Sequence, residues 1–264
     1  MKTKYYILNL RLCGIKNITE PIEIAFCKKT INNSFDPDKY KIKAIYGENG
    51  SGKTAVITAV KIFKKLITDK DYLGDINTQK SLYEIINKKT QKGFIESEFL
   101  VVSNTTRYIV KYSISFEIKD DGRCYISGEK LEYKTGKHSN NKYVEIFTVA
   151  DGVIIQNGTD ARIFDLLEKK TANLLTKQSL VASSIDILID HQLESASFSV
   201  SEIVLFMVYL FANSISIYID ESDDHSGYIS RKIQADQLND EIGLLNRDYK
   251  KMSSLRIFNS EEGA

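Results

Sequence analysis

Residues Gly47-Glu48-Asn49-Gly50-Ser51-Gly52-Lys53-Thr54 match G-x-x-x-x-G-K-[ST] at every position. No other stretch of the chain constrains the fold as much. The pattern works only where a strand delivers the chain into a tight loop and a helix carries it away. Ile42, Ala44, Ile45 and Tyr46 form a short apolar run before the loop. After it, Val56, Val60, Phe63 and Ile67 mark one face of a helix, with Lys61, Lys64 and Lys65 on the other. Glycines let backbone N–H groups curl round a phosphate without Cβ clashes, and the helix N-terminus adds partial positive charge. In this reading Lys53 reaches the β- and γ-phosphates of ATP as a point charge, and the Thr54 hydroxyl is a ligand to Mg²⁺.

The remainder of the chain divides by period. Tyr6, Leu8, Leu10 and Leu12 alternate, a turn covers Gly14 to Thr19, and Ile22, Ile24 and Phe26 alternate again. Two strands in this order predict an antiparallel pair. Residues 69 to 92 are polar, with a short helical piece from Leu82 to Ile86. Between Phe94 and Val149 the period returns to two, which predicts a meander of about four strands. Asp120-Asp121-Gly122, Gly136 and Asn140-Asn141 supply its turns. From Asp160 the pattern is helical, through Ile163, Leu166, Leu167 and Leu174, then a helix over 201 to 213. An apolar strand over Ile215 to Ile219 and a charged helix from Ile233 to Tyr249 follow. The only prolines, Pro21 and Pro37, precede the glycine-rich loop, so later helices and strands can run uninterrupted.

Composition narrows the class. Hydrophobic residues make up 42% and charged residues 27%, which suits a globular chain and excludes disorder and collagen-like repeats. With 36 Lys+Arg against 35 Asp+Glu there is no global basic field, so contact with DNA would need a local patch. Cys13, Cys27 and Cys124 are odd in number and widely spaced, which suggests neither disulfides nor a zinc site and points to the cytoplasm. Cys13 and Cys27 are expected as buried thiols. The ten apolar residues from Ile203 to Ala212 would make about 15 Å of helix, half a bilayer core, so a buried helix is expected and no membrane span.

The string YGENGSGKT, the strand-turn-strand YILNLRLCGIKNITEPIEIAF before it and the β-meander after its helix resemble the ABC-type ATPases of the SMC, RecF and OLD group. Within that group the chain is similar to ATPases of bacterial anti-phage defence loci of the PARIS, Septu and retron-associated kind. Ser127-Gly128-Glu129-Lys130-Leu131 resembles the stretch where a strand of those proteins enters a Glu-x-Leu motif. The resemblance implies an α/β fold: a P-loop ATPase head with an antiparallel β lobe and a helical segment. It implies ATP and Mg²⁺ held between the heads of a homodimer or larger homo-oligomer. Nucleotide turnover would control a partner effector such as a nuclease, with DNA or a phage protein as trigger. The alternatives are a repair or recombination ATPase of RecF or SMC type, and a scaffold that binds nucleotide without hydrolysing it.

Some family parts are missing. No L-S-x-G signature occurs, and the nearest string, Ser199-Val200-Ser201-Glu202, lacks the glycine. Gln79 and Gln91 are candidates for the glutamine of the Q-loop, or are solvated loop residues. Ile215 to Ile219 followed by Asp220-Glu221 has the form of a Walker B strand, with Asp220 orienting magnesium and Glu221 acting as base. The alternative is a strand that ends at a charged loop. His138, His191 and His225 are isolated, and His225 stands beside Asp223 and Asp224 as a weak metal candidate. The lysines at 61, 64, 65, 88, 89 and 92 are either solvated faces or a surface for DNA backbone. The expected division is a nucleotide-binding lobe over 1–160 and a helical segment over 161–264, the latter the start of an insertion with further ATPase elements beyond it. On that expectation the strand from Ile215 to Ile219 lies away from Thr54.

Overall fold

The computed structural model describes residues 3–27, 35–40, 43, 45–46, 51–103, 106–135, 142–157, 175–194 and 199–217. The chain forms two compact units, one of residues 1–189 and 199–216, the other of residues 190–198 and 217–264. The first unit carries the described site.

Its frame is one seven-stranded sheet in the order β2-β1-β3-β4-β5-β6-β7. The strands are β1 (Lys4–Cys13), β2 (Ile22–Ala25), β3 (Lys92–Ser103), β4 (Thr106–Ile118), β5 (Cys124–Thr135), β6 (Val144–Ala150) and β7 (Val153–Asn157). Every neighbouring pair is antiparallel. The helices are α1 (Lys53–Thr68), α2 (Ile76–Ile85), α3 (Leu180–Glu194) and α4 (Val200–Ser214). The chain is therefore α/β with an antiparallel lobe, as expected. An all-antiparallel sheet is not typical of a P-loop head, where the loop follows a parallel strand. The run expected as that strand is not seen as one in its described part: Ile45 and Tyr46 are unpaired by any strand and 44% and 91% exposed.

The β1–β2 pair and the meander form as the alternation predicts, with one extra strand. β7 follows Asp151 and Gly152, whose φ values of 47° and 80° make the two-residue turn that suits a right-twisted hairpin. The alternation in β1 is broken by a bulge between Ile7 and Asn9. Leu10 and Leu12 stay opposite Ser97 and Ile95 on the helix-covered face. Leu8 is turned to the opposite face, where it packs with Phe35, Leu100 and Ile109.

Helices α1 and α4 cover the sheet. α1 buries Ala55, Val56, Ala59, Ile62, Phe63, Leu66 and Ile67, the spacing of one helical face. Phe63 meets Tyr112 of β4 edge-on at 5.7 Å, and Phe99 of β3 stacks on Phe211 of α4 at 3.9 Å. α4 is a core helix, as its apolar run predicts, and starts with a capping box between Ser199 and Glu202. Among the described residues no helix is long and apolar enough to cross a membrane. The helical piece expected at Leu82 to Ile86 is longer and earlier, because Asp75 caps it by accepting from the Thr78 amide at 2.7 Å.

The turn after β1 is locked from below. Gly14 has φ 73°, and a Cβ there would run into the backbone carbonyl of Lys92. Asn87 holds the same turn, its amide donating to Gly14 O at 2.9 Å and its side chain to Lys16 O at 2.8 Å. Gly14→Ala is expected to cost more than the ~1–2 kcal/mol of left-handed strain alone, because the clash is with backbone. Urea unfolding measures it, and a midpoint equal to wild type would show that the turn relaxes freely.

Candidate functional site

The glycine-rich loop is described from Ser51 onward; Gly47, Glu48, Asn49 and Gly50 lie outside the described residues. Gly52 is the N-cap of α1, with φ 94° and ψ 5°. A side chain at this left-handed position would be strained, although its Cβ would make only ordinary contact with Ile18 of the β1–β2 turn, at 3.4 Å. Glycine is thus favoured by backbone conformation. The chain then enters sixteen residues of helix whose first internal bond runs from the Val56 amide to Gly52 O at 3.2 Å.

The N-terminus of α1 has the features a phosphate needs. No side chain caps it, and its first turn contains no acidic residue. The amides of Lys53 to Ala55 precede the first internal bond, so their direction and the helix dipole both favour an anion. Lys53 Nζ lies 3.5 Å from Ser51 Oγ. Thr54 is exposed, and its carbonyl accepts from the Thr58 hydroxyl at 2.8 Å. Ser51, Gly52, Lys53 and Thr54 therefore stand together as the motif requires. The described half of the motif thus offers an uncapped helix N-terminus, a lysine and an exposed threonine, the kinds of group a polyphosphate and its magnesium ion would need.

Asp220 and Glu221 lie outside the described residues, as do His138 and His225; His191 falls in α3. The expected strand over Ile215 to Ile219 begins instead as the cap of α4: Ile215 is extended, at φ −72° and ψ 117°. Its carbonyl accepts from Lys64 Nζ of α1 at 2.6 Å, and residues 215–217 join no strand. Helix α1 thus holds the point where the chain leaves α4.

Gln79 is engaged with backbone and is not a solvated loop residue. Its Nε2 donates to Leu73 O at 2.6 Å and Cys124 O at 3.1 Å, while its Oε1 accepts from the Cys124 amide at 2.7 Å. The side-chain amide imitates a strand partner for the start of β5. Gln91 is an exposed turn residue with φ 51°. Several of the lysines have partners within the chain. Lys65 pairs with Asp69 at 3.3 Å, Lys88 with Glu84 at 3.3 Å and Lys92 with Glu117 at 3.7 Å.

Comparison with protein-family models and with curated proteins finds no match for the chain. The functional reading therefore rests on the residues themselves.

Cys13 and Cys27 are half-buried where the alternation predicts burial, because β1 ends and β2 has already ended at these positions. Cys124 is buried, and burial pushes its thiol up to about 12, which makes it inert at neutral pH. Sequence reasoning missed the chemistry of Glu129. This carboxylate is 3% exposed, and burial pushes it up to about 7 against the opposing pull of Tyr112 and two backbone amides. No spacing rule marks a buried acid of this kind. The one local signal was Ser179 standing directly before the apolar pair Leu180-Val181, a helix N-cap pattern.

Proposed function

We propose that the chain binds ATP with magnesium through residues 47–54 and that nucleotide state controls its assembly with a partner. The observation that carries this reading is left-handed Gly52 opening a sixteen-residue helix, its N-terminus uncapped by any side chain, with Lys53 and Thr54 first in line. In this reading backbone amides and Lys53 hold the β- and γ-phosphates, and Thr54 holds the metal. A bound magnesium ion would neutralise phosphate charge and align the terminal phosphate. The resemblance of the loop supports a head of the ABC type, and the helix that follows it agrees with that reading. Defence with an effector nuclease follows from that resemblance, as do the RecF- or SMC-like alternatives.

The test is calorimetric. ATP and ADP with magnesium should bind, and AMP, which lacks the β-phosphate, should bind at least about tenfold more weakly, or about 1.4 kcal/mol. Equal affinity for AMP and ATP would contradict a phosphate-centred site. Turnover is a separate question. If Asp220 and Glu221 serve metal and water, Glu221→Gln should abolish hydrolysis while leaving ATP binding intact. Unchanged turnover in that variant would remove the assignment, and no turnover in the wild type would favour the non-hydrolysing scaffold.

A further inference from the structure

Four elements meet at one buried carboxyl. Glu129 of β5 lies on the face of the sheet where α3 begins, and its Oε2 accepts from the Leu180 amide at 2.7 Å. Its Oε1 accepts from the Tyr112 hydroxyl of β4 at 2.6 Å and from the Val181 amide at 3.3 Å. Ser179, just before α3, accepts from the Ala182 amide at 3.0 Å and donates to Leu66 O of α1 at 2.8 Å. Tyr112, Ser179 and Glu129 are all buried, at 0%, 0% and 3% exposure. The carboxyl therefore joins the first turn of α3 to the sheet, and Ser179 beside it ties the same turn to the last turn of the helix that starts at Gly52.

This acid has no cationic partner among the described residues. Tyr112 is the titratable group that faces it. Its register partners, Ile114 and Val149, are apolar. Its neighbour Lys130 is engaged elsewhere, with Glu132 and Glu145 at 3.0 Å each. α3 has no acidic residue in its first turn. A buried carboxylate served only by neutral donors loses more hydration than three hydrogen bonds return. The neutral acid is also well accommodated. A proton on Oε1 can be donated to the Tyr112 oxygen, whose own hydroxyl can then turn toward Ser179, which lies near enough to influence it. Ser179 still donates to Leu66, so the neutral acid needs only a reorientation of hydroxyl groups and small shifts.

We propose that Glu129 is a proton-linked latch: the first turn of α3 seals a neutral carboxyl against the sheet and the end of α1, and opening that turn hydrates the carboxyl, which releases its proton to solvent. The sign follows from linkage. Burial pushes the closed-state acid up to about 7, while the hydrated acid has the ordinary value of 4.5. Closure is favoured fully below the lower value, weakens as pH rises toward the upper one, and is level above it. Within that window one released proton changes the opening equilibrium by up to about tenfold per pH unit. The inference does not depend on nucleotide binding.

Native-state hydrogen exchange at the Leu180 and Val181 amides tests it, with rates corrected for the intrinsic pH dependence of exchange. Protection of these amides in the wild type should fall about tenfold or more between pH 5 and pH 8. In Glu129→Gln, which mimics the neutral acid, protection should be level across the same range. Equal pH dependence in the two proteins, or none in the wild type, would overturn the latch. If Glu129→Gln does not fold, Tyr112→Phe serves instead. It keeps the carboxyl but removes a donor that favours ionisation, so the midpoint of the fall should move to higher pH, and an unmoved midpoint would overturn the proposal.

Discussion

Lys53→Ala should weaken ATP binding by tenfold or more, about 1.4 kcal/mol per decade, and leave the fold intact. The side chain is only half-buried, and its ammonium lies 3.5 Å from Ser51 Oγ. It is not part of the face that α1 buries, which is built from Ala55, Val56, Ala59, Ile62, Phe63, Leu66 and Ile67. Removing it deletes the charge that the proposed site offers to phosphate and leaves the helix start to Gly52. Titration calorimetry gives the affinity, and urea unfolding gives the stability of the same sample. Wild-type affinity in the variant would show that the phosphate is held elsewhere. A large loss of stability would show that Lys53 has a structural part.

Phe63→Ala should do the reverse. Phe63 is 1% exposed and meets the edge of Tyr112, so the variant leaves a cavity between α1 and the sheet. The expected loss is about 3–5 kcal/mol, in line with other buried phenylalanines. That is a large share of the stability of an ordinary domain. Nucleotide affinity measured at a temperature where the variant is still folded should change little, because Phe63 is ten residues along α1 from Lys53. A stability loss below about 1 kcal/mol would mean that the contact between α1 and β4 is looser than the geometry indicates.

The start of α1 and the meander were legible because each follows a local rule. A left-handed cap followed by a helix is written in Gly52-Lys53-Thr54, and β3, β4 and β5 are long alternating runs. What escaped depends on partners far along the chain. The bulge that turns Leu8 to the other face of the sheet is set by its pairing with β3, about ninety residues later. Gln79 became a structural residue because α2 lies beside the start of β5. The short β7 was overlooked although Asp151-Gly152 is a strong hairpin signal; five residues carry little alternation of their own. Nothing beside Glu129 in the sequence marks it for burial, and only the arrival of α3 over the sheet buries it. The buried helix α4 was legible from composition, whereas the segment after it was expected as a strand and begins as an extended cap held by Lys64.

Whether phosphate sits at the N-terminus of α1 can be read from amide NMR of the wild-type protein titrated with ATP and magnesium. The largest shifts should fall on the amides of Ser51, Gly52, Lys53, Thr54 and Ala55, with smaller ones at Asn17 and Ile18, which abut Gly52. The contradicting result is a set of shifts centred elsewhere, such as the groove of about 750 Å³ lined by Tyr83, Arg123 and Tyr125, with the start of α1 unmoved.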